Sequence, residues 1–164
     1  MKRFFSLLLA PLLLLSLVGC GNTISDQTNF YYCNVNYQFG DNNSVIVSET
    51  RDITSHKEDV PYLISLYLAG PSSKKLESPF PKNTKLISVE TNSTGTTVEL
   101  SNLERQLSDA EFILACACLT LSTMEFTYSE QVTIISGSKT ITMDRNDLML
   151  YDTITAETVV EETE

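Results

Sequence analysis

The side chains with the most reactive chemistry near neutral pH are one histidine, His56, and four cysteines, Cys20, Cys33, Cys116 and Cys118. Catalysis through His56 would need a nucleophile and an orienting carboxylate, and no motif in the sequence supplies that relay. Ser55-His56-Lys57-Glu58 instead has the spacing of a helix-start capping box, which makes His56 a surface residue at a helix entry. Cys116 and Cys118 form a Cys-x-Cys with no neighbouring His or second pair, a poor frame for zinc. Asp41-Asn42-Asn43 lacks the alternate spacing, glycine and distal glutamate of a calcium loop, and Asp144-Arg145-Asn146-Asp147 departs from that spacing too. The expectation is therefore no catalytic residue, no metal ligand and no cofactor, with ligand-binding residues unassigned.

Cys20 differs because of what precedes it. Lys2 and Arg3 open the chain, and Leu7 to Val18 is apolar apart from Pro11 and Ser16. A run of about a dozen residues is shorter than the roughly 20 that span a bilayer and reads as the core of a signal peptide. Leu17-Val18-Gly19-Cys20 resembles the lipobox of bacterial lipoproteins, in which small residues precede a cysteine that is lipidated before cleavage. That resemblance implies a lipoprotein signal peptide over 1–19. It also implies lipid attachment at Cys20 as a diacylglyceryl cysteine carrying palmitate-like chains, on the outer face of the cytoplasmic membrane.

Charge makes such an anchor necessary for membrane contact. The chain holds 21 acidic and 11 basic side chains, a net charge of -10. That balance repels nucleic acid and anionic lipid headgroups. Removing 1–19 takes away Lys2 and Arg3 and no acid, leaving 9 basic groups against 21 acidic ones. Acyl chains can overcome that repulsion, since each buried methylene contributes about 0.8 kcal/mol. In an exported chain Cys33 could pair with Cys116 or with Cys118; the apolar neighbours of the last two favour burial as small hydrophobes.

The elements follow from periodicity. Residues 20–29 are polar and aperiodic and read as a flexible tether. Tyr31, Cys33, Val35, Tyr37 and Phe39 alternate with polar residues and Tyr32, predicting a strand with those five on its core face. Residues 40–44 are a turn, and Val45 and Val47 return as the partner strand toward Ile53. Val60, Leu63, Ile64, Tyr67 and Leu68 form a helical stripe capped near Glu58 or Asp59, with Gly70 and Pro71 as its stop. Gly70→Val is expected to unfold the domain through backbone strain. Residues 72–77 read as exposed loop, and Ser78-Pro79-Phe80-Pro81 as an extended segment pinned to the core by Phe80.

A second hairpin spans 85–90 and 96–100, with Ile87 and Val89 facing Val98 and Leu100. Ser108-Asp109-Ala110-Glu111 is a capping box opening the apolar run Phe112 to Leu119, the predicted central core helix. Strands at 131–135 and 139–143 turn at Gly137-Ser138. Residues 144–164 are acidic and read as a disordered tail.

Leu66 to Pro71, then Leu76 to Val89, then Val98-Glu99-Leu100-Ser101 resemble the GerM domain of sporulation and spore-germination lipoproteins. The likeness covers Tyr31 to Met143; Asn83 stands where the family usually has glycine. It implies a single α+β domain over 30–143, with two helices on one face of a mixed β-sheet with hairpins, similar to ring-building motifs. It further implies a non-enzymatic scaffold or interaction module in spore-envelope assembly or germination. Its partners would be the membrane, through Cys20, and other envelope or sporulation proteins, with oligomerisation left open and nucleic acid excluded. The other reading is a binding protein for a cell-wall fragment or small-molecule germinant, with Tyr31, Tyr32, Tyr37 and Phe39 lining an aromatic cleft.

Overall fold

The structure, a computed structural model, describes residues 26–37 and 44–148. The expectations for 1–19, Cys20, most of the tether, Phe39 and the chain beyond 148 lie outside those residues. Strands β1 (Gln27–Asn34) and β2 (Ile46–Asp52) pair antiparallel from Gln27 opposite Asp52 to Cys33 opposite Ile46. β1 begins inside the stretch read as tether, because its first residues carry ladder hydrogen bonds although their side chains are polar. Its core face is also the reverse of the expected one. Thr28, Phe30 and Tyr32 are buried, whereas Tyr31 and Cys33 are half-buried. Aromatic residues occupy both parities here, so alternation alone could not choose the face.

Helix α1 (Val60–Leu68) starts at Asp59, whose side chain accepts from Tyr62 N–H, and Pro61 sits in the first turn, where its missing N–H is harmless. Its stripe buries Leu63, Ile64 and Tyr67. Gly70 follows at φ 95, a left-handed conformation that glycine adopts without strain. The presumed loop then contains a short strand, β3 (Leu76–Glu77), paired with Cys33 and Asn34 of β1. Phe80 is buried between its prolines, as expected.

Strands β4 (Leu86–Asn92) and β5 (Gly95–Leu100) form the second hairpin. An irregularity between Leu86 and Ser88 shifts the register, so Val89 still faces Val98, but Ile87 turns out to solvent, 59% exposed. Helix α2 (Asp109–Thr127) has the full capping box, Ser108 and Glu111 each satisfying the other's backbone N–H. It leads to β6 (Gln131–Ser136) and β7 (Lys139–Asp144), which turn back at Gly137-Ser138. Beyond Asp144, residues 145–148 make a helical turn with Leu148 against the core, so order extends past the expected limit.

This is the α+β fold with two main helices that the sequence predicts, but its strands divide into two sheets, β2-β1-β3 and β4-β5-β6-β7. β5 and β6 are parallel, and α2 is the crossover between them. α2 packs on β1 of one sheet and on β6 and β7 of the other, and α1 packs on β4 and α2. By length and composition α2 could cross a membrane, yet it is mostly buried in the domain, as befits a core helix. Its Phe112, Leu119, Met124 and Phe126 are each at most 2% exposed, and burying each contributes about 1.5–3 kcal/mol.

Candidate functional site

The densest polar and aromatic geometry lies where β2 meets the end of α1. Glu49 and Arg51, two residues apart on one strand, project to the same side. Arg51 Nε lies 2.6 Å from Glu49 Oε1, and both side chains are largely buried. Arg51 Nη2 donates to Gly70 O at 2.7 Å and Nη1 to Leu66 O at 3.4 Å, supplying donors to the C-terminal end of α1. Glu49 accepts from Ser72 N–H at 3.1 Å and Ser73 N–H at 2.7 Å. Burial pushes the Glu49 carboxyl up, but the Ser72 and Ser73 N–H groups and Arg51 outweigh it and hold the group below its ordinary range.

Under this ion pair the rings stack. Arg51 Cζ sits 5.1 Å from the Phe30 ring centroid and 5.6 Å from that of Tyr32. Tyr32 and Tyr67 stack at 4.9 Å, and Phe80 meets Tyr67 edge-on at 6.1 Å. Tyr32 Oη donates to Tyr67 O at 3.1 Å, and burial pushes its phenol up to about 12. The cluster is a filled core joint rather than a cleft. Glu49 and Arg51 escape sequence reasoning because their partners are backbone groups about twenty residues away, and the faint signal was two opposite charges at alternate positions of a strand.

A second seam joins β1 to α2. Tyr31 N–H donates to Ser122 Oγ at 2.8 Å, Ser122 Oγ donates to Cys118 O at 2.8 Å, and Tyr31 Oη donates to Glu125 at 3.3 Å. Cys33 and Cys118 are free thiols joined by a hydrogen bond. That bond lowers the Cys33 thiol against the effect of burial, and the same bond together with burial raises Cys118. Cys116 is buried apart from this pair, and burial pushes it up to about 12.

Of the aromatic residues considered for a cleft, Tyr32 is fully buried, Tyr31 is at the α2 seam, and Tyr37 lies beyond the end of β1. His56 lies in the turn before α1 and stacks on Tyr62 at 3.8 Å. Its backbone N–H donates to Ile53 O and its carbonyl accepts from Asp59 N–H, which fixes its place in the turn. The shallow hollow beside it is lined by residues of that same turn, from Thr54 to Asp59, and by Pro61. Among the described residues no group of three or more His, Cys, Asp or Glu side chains is placed to hold a metal ion.

Comparison with curated proteins returns no match. A solved structure, the 2.5 Å crystal structure described as "Putative Lipoprotein from Clostridium perfringens", is similar at 17% identity and a TM-score of 0.45. The similarity covers 74% of this chain and 88% of that one. The Germane family model, described as sporulation and spore germination, matches residues 29–142, from β1 through β7. The chain belongs to the Germane family of sporulation and spore germination.

Proposed function

We propose that this chain is a non-enzymatic interaction module, lipid-anchored at Cys20 on the outer face of the cytoplasmic membrane, that serves spore-envelope assembly or germination. The observation that carries this reading is the presence in one chain of Leu-Val-Gly-Cys ending at Cys20 and a family domain starting at residue 29. The Glu49–Arg51 joint and the Tyr31–Ser122 seam fit it, since their polar groups bind neighbouring elements of the same domain. The reading as a small-ligand binder has less support, because the described members of the suggested cleft, Tyr31, Tyr32 and Tyr37, are divided among a helix seam, the core and a strand end.

On this reading the orientation follows. From Cys20 to Gln27 the chain can reach about 25 Å at full extension, so the domain stays close to the bilayer. Asp26, at the head of β1, accepts from Ile53 N–H at 2.8 Å and pairs with Lys57 Nζ at 3.3 Å. The turn at residues 53–59 is then the part nearest the membrane, and the far end of β1 faces outward, toward protein partners. The test is a Cys20→Ser variant in the native host, labelled metabolically with an alkyne fatty acid and fractionated. The expected result is label and membrane retention in the wild type, neither in the variant, and impaired sporulation or germination. Full sporulation and germination from an unlabelled variant overturns the anchored-module reading, and an unlabelled wild type overturns lipidation itself.

A further inference from the structure

We propose that Cys33 and Cys118 form a reversible disulfide that latches β1 to α2. The geometry comes from how the two elements run past each other. Phe30 meets Phe126 with ring centroids 6.0 Å apart, and Tyr31 N–H meets Ser122 Oγ at 2.8 Å. Two residues further along a strand is about 6.7 Å, and four residues back along a helix is about 6 Å. The seam that pairs Tyr31 with Ser122 therefore brings Cys33 to Cys118, whose thiols are hydrogen-bonded. Cys116, two residues from Cys118, points about 200° away around the helix and is not part of the seam.

The two thiols are chemically unequal. Cys33 is half-buried, whereas Cys118 is 0% exposed. Cys118 S–H donates toward the Cys33 sulfur, which favours thiolate at Cys33 and keeps the proton on Cys118. The oxidant is a disulfide, either a small molecule or an exchange protein of the extracytoplasmic space. The Cys33 thiolate attacks one of its sulfurs, the oxidant's S–S bond breaks, and one thiolate leaves and is protonated. Cys118 then loses its proton to solvent and attacks Cys33 Sγ, expelling the second thiolate. Two protein thiols are oxidised and one disulfide is reduced to two thiols. Only the supply of oxidant in the cell rests on the export proposed above.

The latch closes a loop of about 85 residues, from Cys33 to Cys118, and ties the three-stranded sheet to the helix that carries the other sheet. The test uses the full chain purified in detergent with Cys20→Ser, so that Cys33, Cys116 and Cys118 remain. Oxidised glutathione is added, free thiols are counted, and tryptic peptides are mapped by mass spectrometry. The expected product has two fewer thiols, a Cys33–Cys118 cross-link and a melting temperature about 10 °C higher, reversed by reductant. Cys116→Ala leaves all of this unchanged, and Cys118→Ala stops at a glutathione adduct on Cys33. Three thiols that stay free, a cross-link involving Cys116, or dimers alone overturn the proposal. Because the oxidant is added to purified chain, failure of lipid anchoring does not affect the result.

Discussion

The sheet β2-β1-β3 is joined to α1 by an enclosed ion pair laid over aromatic rings, whereas β4-β5-β6-β7 is held to α2 by aliphatic side chains alternating along β5 and β6. In the first, Arg51 touches Glu49, two carbonyls at the end of α1 and two rings. In the second, Val98, Leu100, Val132 and Ile134 are buried, and the ion pair Lys139–Asp109 lies at the rim with Asp109 91% exposed. Apolar burial tolerates modest change because its energy is spread over many contacts. An enclosed ion pair fails more abruptly, since removing one member leaves the other charged and desolvated.

Arg51→Met is expected to be the most damaging single change, costing about 4 kcal/mol in denaturant unfolding, because it strands Glu49 and uncovers the carbonyls of Leu66 and Gly70. Leu119→Ala, a cavity in the apolar half, should cost about 3 kcal/mol. If the order of these two reverses, aromatic packing and not the ion pair holds the smaller sheet. The glycines extend the comparison. A Cβ at Gly95 would lie 2.4 Å from Gln131 O, so Gly95→Ala must push β5 away from β6 and should cost about 2 kcal/mol. A Cβ at Gly70 meets nothing nearer than Ser78 Cβ at 4.0 Å, so Gly70→Ala carries backbone strain alone, about 1 kcal/mol by thermal melt.

The last prediction concerns pH. The Glu49 carboxyl is held below its unfolded value, so its contribution is fully present above that value and is lost as pH falls through the lower, folded one. Melting temperature followed from pH 7 into the acid range should drop less steeply for Glu49→Gln than for wild type. Parallel curves would mean that the carboxylate does not sense folding.

The same division governs what could be read from the residues. α2 was legible because Ser108 and Glu111 are three apart and an unbroken apolar run follows, both local signals. The turn at Gly137-Ser138 was equally local. The face of β1 was not, since Phe30 and Tyr32 compete with Tyr31 and Cys33 and only the position of α1 and α2 decides between them. β3 is two residues long, too short to show a period. Ile87 was assigned inward because a one-residue irregularity leaves no mark in an otherwise regular strand. The Glu49–Arg51 joint and the Cys33–Cys118 seam depend on partners brought close only by the finished chain path. Cys20, the one site residue assigned from a motif, rests wholly on local sequence.

The hydroxyl of Ser122 on the amide of Tyr31 has a consequence for how the domain is made. Synthesis proceeds from the N-terminus, so the β1–β2 hairpin emerges long before the helix that caps its open side. A lone hairpin is only marginally stable in water, and here the Tyr31 amide lacks its partner until residue 122 arrives. β4 and β5 can pair as a hairpin, but β6, the parallel partner of β5, comes later still, after α2, so neither sheet is complete early. Both sheets can therefore be completed only after α2 and the strands that follow it, up to about residue 144, have emerged.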